Sequence, residues 1–169
     1  MRVVKSEKGV AIKESNHKRT AVVGIGNVLL KDEGIGVHVA RALREVVQTD
    51  EANLDVIDGG TSPDAFLLLE GIHKLVLVDA VNGGGNPGSV YRFHPDDIVF
   101  KRTFTVSAHQ IGLLDSLQMM KFSANKPEEV VIIGVEPKEI GWGMELSAEL
   151  RGKLHQIIKV VMNELNSEV

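Results

Sequence analysis

Two carboxylates and one imidazole, Glu33, Asp79 and His109, are spaced so that an alternating strand–helix fold would present all three to one crevice. Glu33 lies just past the apolar run Ala21-Val22-Val23 and the loop Gly24-Ile25-Gly26-Asn27, at the mouth of a helix. Asp79 directly follows Leu75-Val76-Leu77-Val78, and His109 opens a helix just after Ser107. In open α/β sheets, ligands collect beyond the carboxyl ends of the strands. Two carboxylate oxygens with an imidazole nitrogen form a donor set suited to a divalent transition metal. A helix N-terminus disfavours imidazolium, so His109 at the second helical position is expected to be neutral, as ligation requires.

Other acids need weighing beside these. An acid at the end of an apolar strand is costly to desolvate unless it is paired, hydrogen-bonded or bound to a cation. That singles out Asp79, and also Asp58, which follows Val56-Ile57 and precedes Gly59-Gly60-Thr61. A turn-capping role is the alternative for both. Successive helical residues point about 100° apart, so only one of Asp32 and Glu33 can face the crevice. We assign Asp32 to the helix cap and Glu33 to the crevice. The remaining histidines, His17, His38, His73, His94 and His155, are expected at the surface.

Competing chemistries fare worse. Gly24-Ile25-Gly26-Asn27-Val28-Leu29 after a strand suggests a dinucleotide fingerprint, but Leu29 stands where the third glycine is needed. Glycines that turn the chain sharply at a strand end account for Gly24 and Gly26. The chain has no cysteine and no G-x-S-x-G elbow, and Ser107 is committed to capping.

The elements that must position these groups alternate between strand and helix, which predicts a mainly parallel sheet. Strands are expected at about 20–24, 54–57, 74–78 and 130–134, with 89–93 as a short edge strand able to run antiparallel. Helices are expected from 33 to 48, from 107 with Leu113, Leu117 and Met120 inward, and from 147 to the end. Ser62-Pro63 reads as a cap with proline at the first helical position, opening a short helix to about Gly71. The expected fold class is α/β: a single three-layer α/β/α domain with a twisted, mostly parallel sheet of about five strands and helices on both faces. Residues 1–18 are expected to be a loosely ordered extension, with a short hairpin of Val3-Val4 and Val10-Ile12 as the alternative. Residues 19–169 form the domain.

Composition narrows the context. A chain of 169 residues is one domain, able to bury roughly 70% of its unfolded surface. A net charge of -4 and a pI of 5.9 give no footprint for nucleic acid or anionic membrane. Without cysteine there is no disulfide framework or thiolate site, in keeping with a reducing cytoplasm. No apolar run approaches the roughly 18 residues of a membrane span.

Several stretches together resemble the hydrogenase maturation endopeptidases. They are the run from Gly24 to Gly36, Asp58-Gly59-Gly60-Thr61, Val78-Asp79-Ala80, Gly88, Ser107-Ala108-His109-Gln110-Ile111-Gly112-Leu113, and Ile133-Gly134-Val135-Glu136-Pro137. The resemblance spans about residues 20–165; the departure is the N-terminal segment, since members typically begin almost at the first strand. It implies an endopeptidase that removes the C-terminal extension of the nickel-iron hydrogenase large-subunit precursor. It also implies that Glu33, Asp79 and His109 contact nickel supplied by that substrate, a position other divalent metals can occupy. Asp58 to Thr61, with Gln110, would serve catalysis or substrate recognition. The group that activates the attacking water stays open between Asp58 as a base and a metal-polarised oxygen. The alternatives are a non-hydrolytic nickel-binding assembly factor and a nucleotide-binding α/β module.

Overall fold

The computed structural model describes residues 18–47, 53–62, 64–100, 108–123 and 126–167. The sheet consists of β1 (Arg19–Ile25), β2 (Leu54–Gly60), β3 (Ile72–Ala80), β4 (Val90–Phe93) and β5 (Glu129–Val135). Their order is β2-β1-β3-β5-β4, with every pairing parallel except β4 against β5. The helices are α1 (Ile35–Val46), α2 (Pro95–Phe100), α3 (Ala108–Lys121) and α4 (Ala148–Asn166).

Two apolar layers result from strict alternation along the buried strands. Val22, Val76, Val78, Val131 and Ile133 face α1 and α4, meeting Ile35, Val39, Leu43, Leu150, Ile157 and Val161. Ala21, Val23, Leu75, Leu77 and Ile132 face the other way, meeting Phe66, Leu113, Leu117 and Met120. The three-layer reading is therefore borne out, including the inward face of α3 and the antiparallel edge strand.

Local expectations shift in four places. The segment after Ser62 forms only a 3-10 turn, Ala65–Leu68, not a helix to Gly71. Its apolar content suffices to bury Phe66, but four residues cannot establish an α-helix. The helix expected from residue 33 starts at Ile35, because Lys31–Gly34 forms a separate 3-10 turn. Val46, an apolar residue of the helix expected over 33–48, is exposed in its last turn. Helix α2, with Asp96 and Asp97 in its first turn, carries too little periodicity in six residues to be read from sequence. Residues 1–17 of the expected N-terminal extension, with its alternative hairpin, and the Ser107 cap lie outside the described residues.

Candidate active site

β2 and β3 lie on opposite sides of β1, so the chain reverses its direction of winding between β1 and β3. Such a switch point opens a crevice beyond the carboxyl ends of the strands. Glu33 follows β1 and Asp79 is the penultimate residue of β3. Both are buried. Two glycines let the segments that carry them close up at the strand ends. A Cβ on Gly36 would lie 2.1 Å from the Val78 carbonyl oxygen and 2.3 Å from that of Ile25. Only a bare Cα lets the start of α1 sit directly on the ends of β1 and β3. Gly26 has φ 142°, and a Cβ there would come within 2.0 Å of the Glu33 carbonyl oxygen. The turn that carries Glu33 is thereby folded back over the strand it leaves.

Side-chain parity assigns the acids to faces. Val78 and Ala80 belong to the α1/α4 layer, so Asp79 between them points to the α3 side. Its Oδ1 accepts the Ala80 N–H at 2.8 Å. His109 and Gln110 are the second and third residues of α3, so they begin the helix on that same side, although their side chains lie outside the described residues. Asp58 pairs across β1 with Gly24, at the level of Val78, and points to the α1 side. There it accepts from Arg41 Nε at 2.9 Å and meets Arg41 Nη2 at 2.8 Å, while its Oδ1 accepts the Gly60 N–H at 3.1 Å. The Asp58 side chain keeps 27% of its surface open to solvent. Asp58 to Gly60 close β2 itself instead of following it, and Thr61 is exposed just beyond.

The cap assigned to Asp32 is corrected. Neither the 3-10 turn nor α1 has a side-chain cap. Asp32 is fully buried and accepts three backbone N–H bonds, from Lys138 and Glu139 at 3.0 Å each and from Ser147 at 2.7 Å. It secures the 138–147 loop and the start of α4 to the turn after β1. Asp32 thus does different work from that expected, while Glu33 beside it in the turn is also buried.

A family model described as "Hydrogenase maturation protease" matches residues 37–164. The hydrogenase expression/formation protein HupD of Rhizobium leguminosarum bv. viciae is 31% identical over 152 residues, covering 88% of this chain and 75% of that protein. The hydrogenase 2 maturation protease of Escherichia coli is 30% identical, covering 83% of this chain and 88% of its own length. Among solved structures, the hydrogenase maturating endopeptidase HybD from E. coli superposes with a TM-score of 0.76 at 28% identity, covering 88% of this chain and 92% of that one.

The chain belongs to the hydrogenase maturation protease family.

It is accordingly an endopeptidase, and the family's role is C-terminal cleavage of the hydrogenase large subunit. The assembly-factor and nucleotide-binding alternatives find no support among these relatives. Sequence reasoning passed over the settings of two further groups. His38 is half-buried on α1, not at the surface, and its Nε2 has no hydrogen-bond partner among the described residues. Burial holds its imidazole below the usual histidine range, helped by the charge of Arg41 and opposed by the Met144 backbone, Asp32 and Asp58. Its position one turn before Arg41 was legible, but not that Arg41 pairs with Asp58 of β2 while His38 meets the Met144 backbone. The second group is Glu136, which is buried and accepts from Gly83 N–H and Tyr91 O–H, each at 2.7 Å. It shapes the glycine-rich loop leaving β3. Burial, then Glu136, pushes the Tyr91 phenol up. Glu136 stands in the Val135-Glu136-Pro137 stretch that carried part of the family resemblance.

Proposed function

We propose that this protease senses nickel in the maturing centre of its precursor through Glu33, Asp79 and His109, and cleaves with Asp58. The observation that supports the proposal is that two carboxylates at the β1/β3 switch point are both buried, Glu33 in the turn after β1 and Asp79 near the end of β3. Two oxygen donors and an imidazole, with no thiolate, suit a divalent ion bound modestly, so that ligands from the substrate complete its shell. Nickel is thus part of the substrate, not a resident cofactor.

Asp58 is about two strand spacings from Asp79, or roughly 10 Å, and on the opposite face of the sheet. A precursor whose nickel rests on the α3 side must pass its C-terminal segment over the end of β1 to reach Asp58. There Asp58 takes a proton from water, whose oxygen adds to the scissile carbonyl; the C–N bond then breaks and the proton passes to the departing amine. The backbone of Gly59-Gly60-Thr61 would hold the peptide, and Gln110 would contact substrate beside His109. Holding nickel and peptide at a fixed separation makes proximity the checkpoint. The proposed compartment is the cytoplasm, in keeping with a cysteine-free chain.

The test presents purified protease with precursor of the large subunit, with and without nickel, and weighs the products. Cleavage of the loaded form alone is expected. Equal cleavage of both forms would sink the gating. Cleavage of nickel-free precursor after nickel is loaded onto the protease would assign the ion to an ordinary metalloprotease.

A further inference from the structure

The loop secured by Asp32 exposes more apolar surface than a short connection needs. Trp142 is 84% exposed, Met144 64% and Ile140 50%, and Leu29 beside them is 47% exposed. Backbone pairing brings them together: Gly143 N–H donates to the Leu29 carbonyl at 3.0 Å, and Lys31 N–H donates to the Gly143 carbonyl at 2.8 Å. We propose that Leu29, Ile140, Trp142 and Met144 form the surface on which the folded large-subunit precursor docks through an apolar patch of its own. The proposal rests on the endopeptidase reading and adds where, outside the crevice, the protein substrate is held.

Three observations select that occupant. The patch is continuous with the crevice, because Leu29 is followed within two residues by the turn that carries Glu33. A protein seated on it therefore lies next to the turn that carries Glu33. The loop is also held in place before any partner arrives. Besides the two backbone bonds, Asp32 accepts from Lys138, Glu139 and Ser147, so the ordering that association normally requires is already complete. Finally, the apolar residues are flanked by paired charges, Lys31 with Glu139 at 3.1 Å and Arg151 with Glu145 at 3.3 Å. An apolar centre with a polar rim is the anatomy of a protein–protein interface, and tryptophan and methionine are enriched at such centres.

Trp142 is the chain's single tryptophan, so 5-fluorotryptophan labelling yields one fluorine resonance that reports on this surface alone. Nickel-loaded precursor should shift that resonance. The double variant Trp142→Ser, Met144→Ser should keep the parental melting temperature and raise KM for precursor cleavage about tenfold or more. Phe122→Ser supplies the control: Phe122 is 91% exposed just past the far end of α3, and its loss should leave KM unchanged. An unshifted resonance with unchanged KM, while the parental enzyme cleaves, would overturn the docking surface and leave the protease reading intact. A shifted resonance without cleavage would support docking and count against the protease reading. A resonance that moves with protease concentration alone, and is indifferent to precursor, would assign the patch to a second copy of this chain and overturn the proposal.

Discussion

Asp32 and Glu33 are chemically near-identical neighbours with unrelated work. Glu33 is buried in the turn after β1, a candidate for the crevice, whereas Asp32 binds three amides of a loop more than a hundred residues away in sequence. Sequence could separate them only by the rule that adjacent helical residues face different ways, which left Glu33 for the crevice. It could not reveal Asp32's partners, because backbone amides carry no sequence signature. A buried carboxylate accepting several N–H bonds contributes more than a neutral acceptor, since charge-assisted bonds are about twice as strong. Asp32→Asn replaces one of the two acceptor oxygens with a donor, which then opposes either the Ser147 amide or those of Lys138 and Glu139. The expected loss is roughly 3 kcal/mol in denaturant unfolding. Faster proteolytic nicking within 138–147 should accompany it, and an unchanged midpoint would show that the loop is held by its other contacts alone.

Elements are held at the end of the sheet away from the crevice by a charge network. Lys74 near the start of β3 lies 2.9 Å from Glu164 Oε1 on α4, and Arg92 of β4 donates through Nε to Glu164 Oε2 at 2.6 Å. Glu129, opening β5, joins at 3.3 Å from Lys74. Five apolar-rich strands and the long C-terminal helix were legible from periodicity. This network was not, since a lysine and an arginine beside strands read equally well as solvated ends. Arg92, chiefly, with Lys74 holds the Glu164 carboxyl down to about 2 against the burial that would raise it. A carboxylate with a depressed folded-state pKa contributes stability that is complete above its ordinary value of 4.5 and fades as pH falls toward about 2. Glu164→Gln should therefore lose roughly 3 kcal/mol near neutral pH, because two cations are left poorly compensated. It should also show a shallower fall in stability between pH 4.5 and 2 than the parent. Parallel acid-unfolding curves for the two proteins would place the acid sensitivity elsewhere.

At the scale of the whole molecule, the strand order decides what the individual acids can do together. Alternating strands and helices predicted a parallel sheet with a crevice at the strand ends, with Glu33, Asp79 and His109 expected to share it and Asp58 as a further acid at a strand end. The sheet separates them: β1 stands between Asp58 and Asp79, and alternation sends the two side chains to opposite faces. No local pattern encodes that separation, because it depends on β2 and β3 flanking β1. Its consequence is that recognition of nickel and hydrolysis of the peptide should be separable by substitution. Asp58→Asn keeps the shape and the hydrogen bond to Gly60 but removes the negative charge and the base. It should bind nickel-loaded precursor in preference to nickel-free precursor as the parent does, while cleavage falls by about a hundredfold or more. Asp79→Asn should instead abolish the preference between the two forms. The measurement is the affinity of each variant for both forms of precursor, beside the cleavage rate of each. If Asp58→Asn loses the nickel preference together with cleavage, the two faces act as one site, and the path over the end of β1 is wrong.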